Sequence, residues 1–211
     1  MSSTPSETLR FRWLDALLPD VPFDGWTEAA AAVAADRAGL TPGEQALAAP
    51  NGISDLIDAF FDRAGQAALE HLSQQDLAGL NTPGRVKAGL LAWLSVLEPD
   101  REAVRRAAIR GLLPWGAGPA VQRTWRVADM VWDAAGDTSD DYNRYSKRGL
   151  LAAVIPPIVM YWLDAPAGED LDAYIDRRLK LASGIGRNIG RFAKPLLDAL
   201  PVTRPNGATK T

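Results

Sequence analysis

The chain has 211 residues, 47% of them apolar and 23% charged, with a formal net charge of −3, no cysteine and a single histidine, His71. This suits one soluble globular domain with a sizeable core and is unlike a disordered chain. Disulfides, thiolate metal sites and a cysteine nucleophile are excluded, and zinc sites and Ser-His-Asp triads lose their usual participants. The N-terminus, MSSTPSETLRFRW, has no apolar signal core, and no stretch reaches the ~18 apolar residues of a membrane span. A cytosolic location is the expectation. Charge is uneven along the chain: residues 1–100 carry six Lys/Arg against fourteen Asp/Glu, and the remainder seventeen against twelve. The head is therefore acidic and the tail basic.

Strand signals are almost absent, and helix signals recur between Pro and Gly breaks. The pattern predicts a first helix over about 7–18, stopped by Pro19. Thr27 caps a second, with Glu28 in its first turn and Gly39 as its stop. A short helix comes next at about 42–49, then a long amphipathic one over 54–72, whose apolar positions repeat at three and four residues. His71 near its end reads as a solvated last-turn cation or a packing residue. Further helices are expected at about 83–97, 100–112 and 119–135, with Pro119 in the first turn of the last. Ser139 opens the next, and Pro156-Pro157 is expected to kink or break it, because each ring clashes with the carbonyl four residues back. A helix over 170–182 leads into a glycine-rich amphipathic segment, 183–200, and a polar tail, 201–211, expected to be disordered. The sum is nine or ten helices, an all-α fold. Its divisions are a head (1–52), a body (53–182), the amphipathic segment and the tail.

The three short head helices resemble the N-terminal helix-turn-helix of TetR-type repressors, and a three-helix head on a larger all-α body resembles that family as a whole. DNA affinity, however, comes mostly from Lys and Arg on phosphates. Between Arg37 and Arg63 there is no basic residue, while Glu44, Asp55, Asp58 and Asp62 are acidic. Binding of nucleic acid is not expected unless Arg10, Arg12 and Arg37 cluster. A ligand-responsive TetR-type regulator stays as the alternative reading.

The most informative stretch is 129–164, an acidic and aromatic box running into fifteen uncharged residues, Gly149 to Leu163. Such a tract is too short to span a bilayer and too apolar for a surface helix, so it packs in protein or meets something greasy. Trp93, Leu97, Trp125, Leu150, Val154, Ile158, Tyr161 and Trp162 are candidate lining for an apolar pocket. They could equally fill the core, since a buried Leu or Ile contributes about 1.5–3 kcal/mol in either setting. In the box, Val131, Trp132, Asp141, Tyr142, Arg144, Tyr145 and Arg148 form a candidate partner-binding patch rich in types favoured at interfaces. Asp137, Ser139 and Asp140 could instead cap a helix start, and Asp133, Asp137, Asp140 and Asp141, without histidine, are a poor metal site. In 183–200, Ile185, Ile189, Phe192, Leu196 and Leu200 share one helical face, and Arg187, Arg191 and Lys194 lie opposite. That is the pattern of a membrane-surface helix, or of one folded back on the body. No nucleophile–base pair, phosphate loop or metal constellation is present, so no catalytic residue, metal or cofactor is expected.

Two stretches together resemble the ubiquinone-biosynthesis lipid-binding accessory family. They are Gly25-Trp26-Thr27-Glu28-Ala29 with Ala38-Gly39-Leu40, and the signature DMVW…AGDTS…DYN…YSKR…LLAA between Asp129 and Ala153. The resemblance covers residues 8 to 180. It implies a TetR-like all-α fold, an isoprenoid quinone or phospholipid held in the helical body, and no catalysis by the protein itself. It further implies a quinone-ring hydroxylase as partner and peripheral attachment to the inner membrane through a C-terminal amphipathic helix; a homodimer is a separate expectation. Arg144 and Pro156-Pro157 depart from the mitochondrial members' pattern.

Overall fold

Residues 4–139, 142–164 and 170–198 are described by a computed structural model. Among them all regular structure is helical: α1 (Pro5–Leu17), α2 (Val21–Asp24), α3 (Glu28–Arg37), α4 (Pro42–Ala48), α5 (Ile53–Ser73), α6 (Thr82–Leu97), α7 (Arg101–Gly111), α8 (Pro114–Ala134), α9 (Tyr142–Asp164) and α10 (Leu171–Asp198). A 3₁₀ turn, Glu98–Asp100, joins α6 to α7.

Local chemistry sets most boundaries. Thr4 with Glu7, and Thr41 with Glu44, form reciprocal capping boxes at α1 and α4. Thr27 accepts from the Ala30 N–H at the start of α3, and Asn81 from the Gly84 N–H at the start of α6. Gly136, at φ 82, ends α8 in the left-handed region, and the Asp137 N–H then reaches the Trp132 carbonyl at 3.1 Å. That reversal sends Asp137 back toward α9.

Several elements differ from what the sequence pattern predicts, the short α2 among them. α8 begins at Pro114, so Pro119 lies inside it and not in its first turn. The Leu113 carbonyl anchors the start by accepting the Gly116 and Ala117 N–H groups at 2.9 and 3.1 Å. α9 runs unbroken through Pro156-Pro157. It packs between α8 and α10, and this tertiary packing outweighs the two backbone hydrogen bonds that the prolines remove. The segment from 183 is no separate piece either: its backbone continues α10 past Gly184, Gly186, Gly190 and Pro195.

The head docks firmly on the body. The Trp26 indole donates to the Ala103 carbonyl of α7 at 2.9 Å, Arg106 donates to the Pro22 carbonyl at 2.8 Å, and Arg110 to the Trp26 carbonyl at 3.2 Å. Rings then run inward from Trp26 to Phe60, Phe61 and Trp93, with centroids 5.5, 5.0 and 6.2 Å apart. Such contacts add to the area each ring buries. One continuous core extends from Trp13 in α1 to Ile175 in α10.

Candidate functional site

The body encloses a cavity of about 860 Å³, walled by Phe61 of α5, Trp93 of α6 and long faces of α7, α8 and α9. That volume lies within the ~300–1,000 Å³ of small-molecule sites. The wall is overwhelmingly apolar. α7 supplies Val104, Ala107, Ala108 and Ile109; α8 supplies Val121, Trp125 and Val127; α9 supplies Gly149, Ala152, Ala153, Pro156, Val159 and Met160. A Cβ on Gly149 would sit 3.7 Å from the Trp125 ring, so α8 and α9 meet closely at that edge.

The charges at the wall are neutralised. Arg123 is buried, donates from Nε to Asp58 at 2.5 Å and from a terminal nitrogen to the Ser54 hydroxyl at 3.0 Å, and so ties α8 to α5. Arg105 donates to the Leu163 carbonyl at 2.5 Å and to Asp164 at 2.8 Å, and Arg101 donates to the Trp162 carbonyl. These two arginines of α7 satisfy the last carbonyls of α9, where a helix is short of donors and carries partial negative charge. Arg105, Leu163 and Asp164 belong to the cavity wall. At its mouth Ile109, Leu112, Val121, Trp125 and Met160 are wall residues that also stand exposed, Leu112 at 83%. Isolated exposed apolar side chains are ordinary, but a ring of them around an apolar opening marks an interaction surface.

Of the eight lining candidates in the sequence, Trp93 and Trp125 stand at this wall. Leu97 and Ile158 are buried in the core away from it, and Leu150 and Val154 are half-buried outside it. Tyr161 stacks on Tyr174 of α10, with ring centroids 3.8 Å apart. Trp162 donates to Glu98 at 2.8 Å and lies under the Arg101 guanidinium. The face of α9 at the wall is thus rotated from the one the sequence suggested. The reason is plain: in an uncharged tract every face is apolar, so periodicity cannot choose among them. The α7 contribution was missed altogether. Its 104, 107, 108 spacing signals an amphipathic helix, and nothing in the sequence says that the apolar face borders a cavity.

The polar box folds into an ion-pair hub. Arg148, 2% exposed, bonds Asp129, Asp133 at 2.5 Å and Asp137 at 3.0 Å. Lys147 adds bonds to Asp137 at 2.7 Å and to the Ser139 hydroxyl at 2.8 Å, and the Trp132 indole donates to the Lys147 carbonyl at 3.1 Å. Burial would raise the Asp137 carboxyl, but hydrogen bonds from Lys147, Ser139 and Arg148 outweigh it and bring its pKa down to about 2. Arg148 likewise resists the downward pull of burial, and its carboxylate partners hold it above its ordinary value. Asp137, a cap candidate by residue type, and Asp133, named with it as a metal ligand, therefore serve a guanidinium.

This alters the candidate partner patch. Val131 and Arg148 are buried and present nothing to a partner, whereas Tyr145 is 66% exposed and Arg144 and Trp132 are partly exposed. Asp141 and the side chain of Tyr142 lie outside the described residues, as do the side chains of Ile185, Arg187, Ile189, Arg191, Phe192, Lys194 and Leu196. In the head, Arg10 donates to the Ala48 carbonyl, Arg12 pairs with Glu44 and Arg37 pairs with Asp20. Each of these three arginines thus turns to an intramolecular partner. No described helix is long and apolar enough to cross a membrane.

Residues 117–186 match the family model described as COQ9. The matched segment takes in nearly all of α8, all of α9 and the first half of α10, hence the ion-pair hub and two of the cavity's walls. Over 190 residues the chain is 30% identical to the rat ubiquinone biosynthesis protein COQ9, mitochondrial, covering 85% of this chain and 60% of that one. The human protein of the same name is 29% identical over 189 residues, with 85% and 59% covered. The chain thus spans about 60% of the length of these relatives. Among solved structures, a TetR transcriptional regulator from Nitrosomonas europaea superposes with a TM-score of 0.61 at 20% identity, over 82% of this chain and 97% of that one. The fold of the described residues is therefore TetR-like.

Proposed function

We propose that this protein is a non-catalytic accessory factor of ubiquinone biosynthesis that holds a polyprenylated ring precursor and presents it to a ring hydroxylase. The observation that carries the reading is the apolar cavity of about 860 Å³ opening through a rim of exposed apolar side chains. The likeness to proteins named for ubiquinone biosynthesis supplies the pathway. Moving an isoprenoid chain from lipid into an apolar cavity gains little, because both are apolar. What the protein contributes is position: the ring is held at the membrane surface where a second protein can reach it. The rim of Ile109, Leu112 and Trp125 supports a mouth that meets the bilayer, and the basic and apolar faces of 183–198 support peripheral attachment beside it. Exposed Tyr145, with Arg144 and Trp132 beside it, supports a partner surface on the start of α9 and the end of α8.

The test is solvent extraction and native mass spectrometry of the purified chain, alone and after incubation with vesicles that carry a prenylated quinone. A retained isoprenoid is expected. Ala153→Trp, which fills the cavity from an exposed position on α9, is expected to remove it and leave the fold intact by circular dichroism. Equal retention by the wild type and this variant would overturn the assignment of the cavity.

A further inference from the structure

The corner between α7 and α8 carries the most exposed apolar side chain of the cavity rim, Leu112. Leu113 beside it and Ile109 one turn back stand exposed as well. Charge around this corner has one sign. From Ala103 to Ala128 there are five arginines and no Asp or Glu. Among the described residues, Arg105, Arg106, Arg123 and Arg126 each pair with a carboxylate. Arg110, two residues before Leu112, pairs with none and donates to the Trp26 carbonyl. Along α7 the nearest acid to Arg110 is Glu102, about 12 Å away by helical rise.

The backbone of the corner is closed on itself. The Leu112 N–H donates to the Ile109 carbonyl at 3.1 Å, and the Leu113 N–H to the Arg110 carbonyl at 3.2 Å. The Leu113 carbonyl accepts from Gly116 and Ala117, and Pro114 has no N–H to leave bare. Unsatisfied backbone is what keeps most turns out of lipid, and these groups need no water.

We propose that the Leu112–Leu113 corner inserts into an anionic lipid bilayer, with Arg110 at the level of the phosphates, as an anchor separate from the segment 183–198. This deepens the reading of the cavity mouth as facing the bilayer and rests on it. A lone exposed leucine is ordinary. Charge selects the occupant here: leucines beside an uncompensated guanidinium, in a segment free of acids, match a negative lipid surface with an apolar interior. The rim continues from this corner through Ile109 and Val121. Insertion therefore sets the mouth against the lipid, and an isoprenoid enters without crossing water.

The chain has no cysteine, so Leu112→Cys gives a single site for an environment-sensitive nitrobenzoxadiazole label. Leu47→Cys, exposed on α4 in the acidic head, gives the control. On vesicles of phosphatidylcholine with phosphatidylglycerol, the label at 112 is expected to shift to the blue and to be quenched by spin-labelled lipid, and the label at 47 to do neither. In the unlabelled chain, Leu112→Ser is expected to weaken partition onto these vesicles about tenfold. Arg110→Gln, which keeps a donor for the Trp26 carbonyl, is expected to weaken it about fivefold, with no loss on phosphatidylcholine alone. A label at 112 that stays in water while the protein floats with the vesicles would overturn the proposal. Equal shifts at both positions, or no flotation at all, would overturn it too. Isoprenoid retention by native mass spectrometry keeps the cavity's assignment separate. A wet label on a chain that still retains isoprenoid removes only the corner, whereas an inserted label without retention leaves the corner standing and removes the cavity as the lipid site.

Discussion

Replacing Arg148 by methionine keeps most of the side chain's volume and removes its charge, so it isolates what the hub contributes. Arg148 is 2% exposed and serves three carboxylates, whose side chains are 39% (Asp129), 56% (Asp133) and 5% (Asp137) exposed. Removing one member of a fully buried pair costs about 3–5 kcal/mol, chiefly through the charge left behind. Here Asp129 and Asp133 can turn to water, and Asp137 keeps Lys147 and Ser139. The expected loss is therefore smaller, about 2–3 kcal/mol. Because the hub links α8 to α9, the loss falls on global unfolding and not on a frayed end. Urea denaturation followed by far-ultraviolet circular dichroism at neutral pH measures it, and an unchanged m-value identifies it as stability. The gap between wild type and variant should narrow as pH falls toward 2, where Asp137 protonates and no longer needs the cation. A loss under about 0.5 kcal/mol at neutral pH, or a gap that does not change with acid, would refute the view of Arg148 as a structural hub and return it to the candidate surface residues.

Asp137, with its pKa lowered from 3.8 to about 2, contributes stability that is complete above pH 4 and lost as pH falls toward 2. Discounted for the exposure of Lys147, that contribution is roughly 1–2 kcal/mol. Asp137→Asn should flatten the acid limb of a stability profile measured by chemical denaturation between those pH values. Gly116→Ala would place a Cβ 2.1 Å from the Arg110 carbonyl oxygen. The corner between α7 and α8 must then open, with a loss of about 2 kcal/mol or more and a lowered melting temperature by calorimetry. Tyr145→Ala removes an exposed ring and should change stability by less than about 0.5 kcal/mol, while weakening any hydroxylase partner in a pull-down with purified components. Trp125→Ala should weaken binding of farnesylphenol severalfold, because the ring is both wall and rim; unchanged affinity would place the ligand elsewhere.

The sequence by itself determined the fold class, most helix boundaries and the family signature. Those are local properties: Thr4, Thr27, Thr41 and Asn81 each cap the helix that starts beside them, and Gly39 and Gly136 take the positive φ that ends a helix. The rotation of α9 was decided only by tertiary structure. Fifteen uncharged residues have no polar face to exclude, and the side that meets the cavity is set by where α7, α8 and α10 pack. The survival of α9 through Pro156-Pro157 was decided there as well, since packing on both sides replaces what two backbone bonds would have given. Arg148 and Asp137 make the same point in charge. The sequence shows acids and bases close together, but only the turn at Gly136 and the pairing of α8 with α9 bury the guanidinium among three carboxylates. Local propensity is written residue by residue, whereas a cavity and a buried ion pair exist only between elements that are distant along the chain.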